Sequence, residues 1–280
     1  MKQYTRREAL KLFGIGTVAV AGLGLTGCNG LGEGTGGGAQ KSSEPVPASH
    51  AFGQAGVWMV YGDHEQIGKN TSVWSVLVFD GNGNVTVYDT HGLAMNGGTS
   101  YDGITFGDLD GMSNNEIIDL AKQKARENFD AAKQSAIDET NEEIENPVST
   151  EYGANVAAGQ KVNEAAEYQE PEAVPFTLRL ETDDTGNIAA SETLSFEYQS
   201  LNGSHFYSGS HIGSHPDRYA DEALYETKQV DIDLSAPTYS TTQTVYGTTF
   251  SGYSGLATVV NEGHVGFTWD TPDTEGIEVD

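Results

Sequence analysis

Apolar positions divide the chain into three regimes. Phe13 to Leu25 is an uncharged, mostly apolar run, residues 29–50 show almost no pattern, and from Gly56 onward strand-like segments recur. The first pair is Val73-Trp74-Ser75-Val76-Leu77-Val78-Phe79 and Val85-Thr86-Val87-Tyr88. They flank Asp80-Gly81-Asn82-Gly83-Asn84, the chemistry of a hairpin loop. A second hairpin alternates more cleanly, with Phe176, Leu178 and Leu180 on one face and Thr177, Arg179 and Glu181 on the other. After Asp183-Asp184-Thr185-Gly186-Asn187, Leu194, Phe196 and Tyr198 repeat that arrangement. Val230, Ile232 and Leu234 alternate with Asp231 and Asp233, so that strand shows carboxylates to water. Segments 238–250, 256–261 and 264–269 complete about nine expected strands, mostly consecutive, which favours antiparallel pairing over β-α-β crossovers.

One stretch has the helical period instead. Ser113-Asn114-Asn115-Glu116 forms a capping box, after which Ile117, Ala121, Ala125, Phe129, Ala132, Ala136 and Ile144 make a narrow, Ala-rich stripe. The spacing predicts a helix over 114–145, about 48 Å long at 1.5 Å per residue. Asp138, Glu139, Glu142, Glu143 and Glu145 bring negative charge to its C-terminal end, where the helix dipole disfavours it, so fraying is expected beyond Asp138. Residues 146–172 are polar and Ala-rich and read as a loop carrying a short helix. The expected fold is therefore α+β and mainly β: an antiparallel sheet or sandwich with one long amphipathic helix inserted between hairpins. Gly56-Val57-Trp58 resembles the Gly-x-Trp that opens lipocalin-like barrels, a resemblance that implies a closed, barrel-like sheet as the alternative.

The N-terminal regime carries motifs. Lys2, Arg6, Arg7 and Lys11 precede the apolar run, which at thirteen residues is shorter than the roughly 20 needed to span a bilayer and ends at Leu25-Thr26-Gly27-Cys28. The run Thr5-Arg6-Arg7-Glu8-Ala9-Leu10-Lys11 resembles a twin-arginine export signal, and Leu-Thr-Gly-Cys resembles a lipobox. Together they imply export by the twin-arginine translocase, cleavage after residue 27, a covalent lipid on Cys28, and anchoring on the extracytoplasmic face of the membrane. Residues 28–50, rich in Gly, Ser and Pro, then read as a tether, and 51–280 as a single extracytoplasmic domain.

Composition sharpens that picture. Fourteen Lys and Arg against 41 Asp and Glu give a net charge of −27. Losing four basic residues and one acidic residue with the signal leaves −30 on the mature chain. Such a field repels nucleic acid, so no nucleic-acid partner is expected. Its self-repulsion is screened in concentrated salt, where the Debye length is only about 3 Å at 1 M. Acidity and export route together resemble the secreted lipoproteins of salt-loving archaea, although nine Lys against five Arg keeps an acidic Gram-positive lipoprotein open. The single cysteine excludes an internal disulfide and multi-thiolate zinc sites.

Candidate chemistry is sparse. His205, His211 and His215 with Asp217 offer imidazole and carboxylate ligands for a divalent metal such as zinc, copper or nickel, although their Gly- and Ser-rich surroundings read first as a surface loop. The acidic turns at Asp80, Asp108–Asp110 and Asp183 offer oxygens for calcium but carry the residues hairpin turns require. Trp58, Trp74 and Trp269, with the tyrosines, are either core or the lining of a carbohydrate groove. Asn70, Asn84 and Asn202 lie in glycosylation sequons. No G-x-S-x-G or H-E-x-x-H motif is present. The expected function is that of a membrane-anchored, non-enzymatic surface module for binding or envelope interaction, its ligand unknown. A metal-binding protein or metalloenzyme and a carbohydrate-binding domain are the alternatives.

Overall fold

Two kinds of strand appear in the computed structural model, which describes residues 44–62, 66–91, 103–202, 206, 223–235 and 242–280. In chain order the elements begin with β1 (Val46–Pro47), α1 (Ala48–Phe52), β2 (Ala55–Val60), β3 (Ser72–Val73), β4 (Ser75–Asp80), β5 (Asn84–Asp89) and β6 (Ile104–Thr105). Two helices follow, α2 (Asn114–Glu145) and α3 (Thr150–Ala165), and then β7 (Val174–Thr182), β8 (Ala189–Leu201) and β9 (Tyr225–Asp233). The chain closes with β10 (Thr242–Val245), β11 (Thr248–Tyr253), β12 (Leu256–Val260), β13 (Phe267–Thr268) and β14 (Glu278–Val279).

The strands of the first kind are covered on both sides. Trp58, Leu77, Phe79, Val85 and Val87 of β2, β4 and β5 face one core, while Val57, Met59, Val76 and Tyr88 of the same strands face another. Two-sided burial is why Val76 to Phe79 is an unbroken apolar run. The first core is capped by α1, whose Phe52 ring lies 4.9 Å from Trp58 and 5.0 Å from Phe79. The second lies beneath the N-terminal half of α2, through Ile117 and Ala121, with Phe106 and Phe250 packed edge to face beside them. Strands β7, β8 and β9 are of the second kind. Leu178, Leu180, Leu194, Phe196 and Tyr198 point inward and their neighbours outward, matching the alternation in the sequence.

The main sheet has ten strands in the order β10-β11-β12-β2-β4-β5-β7-β8-β9, with β14 added beside β7. Every pairing along that order is antiparallel, and β14 joins β7 in parallel. The fold is thus mainly β with a large antiparallel sheet, as expected. It is not a closed barrel: β9 and β10 are the two ends of the path and do not pair with each other. Two links are short: β5 and β7 pair only through Asn84–Pro175 and Val85–Val174, and β12 and β2 only through Leu256–Val60 and Ala257–Met59. Beyond Val85, β5 runs on to Asp89 past the start of β7 at Val174.

Three expectations are corrected. The segment given to the tether does not extend to residue 50: β1 pairs with β13, and Ala48, Ala51 and Phe52 are buried. The apolar Val46, Ala48, Ala51 and Phe52 hold this segment on the sheet. The long helix spans Asn114–Glu145 as its spacing predicts, but the fraying expected beyond Asp138 is not seen: it stays helical to Glu145. Residues 146–172, expected as a loop carrying a short helix, carry a longer one: Thr150–Ala165 makes about four and a half turns capped by Ser149. These two differences have one cause. Helix α3 folds back on α2, burying Val156 and Asn163, and Tyr152 donates to Glu143 while Gln160 donates to Asn141. That packing offsets the unfavourable dipole at the acidic end of α2. Burial of Ile117, Ala121, Phe129, Ala132 and Ala136 follows the predicted stripe. No helix among the described residues is long and apolar enough to cross a membrane.

Candidate functional site

Where β5 and β7 part, the inward faces of two strands change character together. On β5 the inward series Val85, Val87 continues to Asp89, and on β8 the series Leu194, Phe196 continues through Tyr198 to Ser200. The polar ends meet. The Tyr198 hydroxyl lies 3.0 Å from both carboxylate oxygens of Asp89 and donates to that carboxylate, and Ser200 Oγ donates to Oδ2 at 3.1 Å. Ser75 Oγ donates to Oδ1 at 2.9 Å from the neighbouring strand β4. Asp89 is half-buried and held by three neutral hydroxyl donors.

This cluster forms part of the wall of a cavity of about 650 Å³. Helix α2 contributes Ala125, Asn128 and Phe129 to the opposite wall, and the approach to β7 contributes Gln169, Glu170 and Glu172. Tyr168 and Tyr225 complete its aromatic surface, the Tyr225 hydroxyl accepting from Gln169 N–H at 2.9 Å. The volume falls in the range of small-molecule sites. Two buried polar atoms in the lining residues lack a hydrogen-bond partner, Nδ2 of Asn128 and the hydroxyl of Tyr168. Burial, reinforced by the nearby carboxylate of Asp89, raises the Tyr198 phenol well above its ordinary pKa. Burial also raises Tyr88, Tyr168 and Tyr225, and in each case the charge of Glu170 adds to the shift. These phenols therefore remain protonated around neutral pH, as hydrogen-bond donors rather than bases.

A second acidic group lies in the core. Glu192 is fully buried on the inward face of β8, one alternation before Leu194, and its Oε2 accepts from Asp270 N–H at 2.9 Å. Asp270 in turn accepts from Ser49 N–H at 2.7 Å and Ser49 Oγ at 2.6 Å, which ties the C-terminal segment to the start of α1. Burial chiefly, and the adjoining Asp270 carboxyl after it, push Glu192 up to about 8. The pair fastens three segments together.

The residues singled out in the sequence behave differently. Arg6, Arg7 and Cys28 lie outside the described residues, as do His205, His211, His215 and Asp217. Among the described residues no three His, Cys, Asp or Glu side chains are grouped to hold a metal ion. The acidic turns use their oxygens internally. Asp80 accepts from Asn82 N–H, Asn84 N–H and Asn84 Nδ2, with Gly81 and Gly83 at φ of 75° and 86°. Asp183 closes its own turn through Thr185 and Asn187, and Asp110 accepts from Gly247 and Thr248 across the fold. Of the sequons, Asn70 is exposed, whereas Asn84 Nδ2 donates to Asp80 and Asn202 Nδ2 donates to the Ala223 carbonyl. The tryptophans do not line the cavity. Trp58 is in the core, Trp269 donates its indole N–H to the Leu234 carbonyl at 2.6 Å, and Trp74 is exposed elsewhere.

The cavity itself was missed in the sequence, yet it left a trace. Extending the inward alternation of two strands one step past the last apolar residue lands on Asp89 and Ser200, and one step before Leu194 lands on Glu192. No protein-family model, no curated protein and no solved structure matches this chain. Functional argument therefore rests on the site's own chemistry.

Proposed function

We propose that this chain is a lipid-anchored extracytoplasmic binding module that takes a small molecule into the Asp89 cavity. The location half of the proposal comes from Arg6, Arg7 and the lipobox ending at Cys28. The binding half is carried by one observation: the inward faces of β5 and β8 turn polar at the same place, and a cavity of about 650 Å³ lies there. A core that needed only stability would have continued with apolar side chains, and the lining also leaves Asn128 Nδ2 and the Tyr168 hydroxyl without partners, at a cost of about 1–3 kcal/mol each. Phenols kept protonated, and a carboxylate already occupied by three hydroxyls, suit holding a ligand better than attacking one.

The test is a thermal-shift screen of neutral, cationic and anionic metabolite-sized compounds against the wild-type protein and Ala125→Trp, which fills the cavity from α2. Compounds that raise the wild-type Tm and leave the variant's unchanged support the reading. A set of compounds that shifts both proteins equally, or shifts neither, contradicts it.

A further inference from the structure

The charges around the cavity are one-sided. Asp89, Glu170 and Glu172 line it beside His91, and among the described residues that line it there is no Lys or Arg. Asp89 has no ion-pair partner among the described residues, so its half-buried charge is balanced by hydroxyl dipoles alone. Glu170 raises the pKa of Tyr88, Tyr168 and Tyr225 by charge, which places a second carboxylate near three phenols. Asp89, half-buried, interacts more strongly with a counter-ion than a surface charge does, while Glu170 and Glu172 are exposed at the edge of the cavity.

The aromatic surface has the matching preference. Phe129, Tyr168, Tyr198 and Tyr225 line the same space, and ring faces attract cations. One such contact already exists: the Arg126 guanidinium lies 5.5 Å from the centre of the Tyr168 ring. It covers part of one ring and leaves the others. An anion would meet Asp89 on the strand wall and Glu170 and Glu172 on the approach to β7, within the field of a chain carrying −27.

A third feature concerns the rest of the ligand. Asn128 is only 6% exposed and its Nδ2 is unpartnered, a buried donor in need of an acceptor. A bare cation supplies none. An oxygen on the ligand does.

We infer that the Asp89 cavity takes a small organic ammonium ion bearing a neutral oxygen acceptor, its cationic end among the carboxylates and tyrosine rings and its oxygen toward Asn128. This rests on the reading of the cavity as the ligand site. It assigns a ligand class to that site.

Calorimetric titration with three probes of similar shape separates the possibilities. Choline carries the ammonium and a hydroxyl, 3,3-dimethylbutan-1-ol replaces the nitrogen by carbon, and 3,3-dimethylbutanoate carries the opposite charge. Choline is expected to bind the wild-type protein at least tenfold more tightly than the neutral alcohol, with no binding of the anion. Glu170→Gln, a change at an exposed side chain, and Asp89→Asn are each expected to weaken choline several-fold while leaving the alcohol unaffected. Glu170→Gln carries the test if Asp89→Asn does not fold. Ala125→Trp is expected to abolish binding of both. Equal affinities for choline and the alcohol, both lost in Ala125→Trp, would overturn the ammonium inference and leave the cavity reading standing. Choline binding that survives in Ala125→Trp overturns both. No binding by any probe overturns the ammonium inference, and the cavity reading is then decided by the charge-independent screen above.

Discussion

Glu192 shows what one residue on the wrong side of a strand does to a fold. Its carboxyl sits where the alternation of β8 calls for an apolar side chain, and burial pushes its pKa up to about 8. The folded protein therefore keeps this proton up to about pH 8, whereas the unfolded chain releases it near 4.5. Between those limits the folded state binds more protons, so stability is fully present below about pH 4.5 and falls as pH rises toward 8. The slope is at most about 1.4 kcal/mol per pH unit. Glu192→Gln keeps the shape and an acceptor for Asp270 N–H but has no proton to lose. Denaturant titrations at pH 5 and pH 8 are expected to show the wild type losing stability between the two and the variant losing clearly less. Identical losses would mean that Glu192 does not titrate in that window. Asp89 and Glu192 are both legible once the alternation is extended by a step. What cannot be read from spacing is which strand's polar end lies opposite which, because Asp89 and Tyr198 are 109 residues apart.

Among the elements, pattern predicts type better than it predicts extent. The unbroken run at 76–79 and the clean alternation at 176–180 and 194–198 correspond to two-sided and one-sided burial, and both were visible as strands. The capping box at Ser113 is present, with Glu116 accepting from Ser113 N–H at 2.8 Å, so the start of α2 was legible. Its extent to 145 was legible too, but not the order of its acidic last turns, because the partner that sustains residues 139–145 is α3, a helix with a faint apolar face and two internal glycines. Helix α1 escaped notice for another reason: five residues are too short to show a period. Its contribution is nonetheless large. Phe52 is fully buried against Trp58 and Phe79, so Phe52→Ala is expected to destabilise the domain by about 3–5 kcal/mol. Chemical denaturation measures this directly. A loss under about 1 kcal/mol would return residues 46–50 to the tether.

At the scale of the whole molecule, an acidic body and an N-terminal address point to the same place. The first 27 residues read as a signal for export, and Cys28 as the attachment point of a lipid; the folded body begins near Val46, leaving a short spacer between. A diacyl anchor holds a protein at a membrane where a single chain would not. In the proposed reading the acidic surface keeps such a body hydrated and repels polyanions, and the Asp89 cavity is where it would hold a ligand. The central claim is that this body is displayed on a lipid outside the cell, and the intact mass of the protein extracted from its native membranes tests it most directly. The account predicts a chain beginning at residue 28 whose N-terminal cysteine carries a thioether-linked diacylglycerol, with the mass falling to that of the polypeptide when the lipid is removed. A chain that begins at Met1 with an unmodified thiol would contradict it.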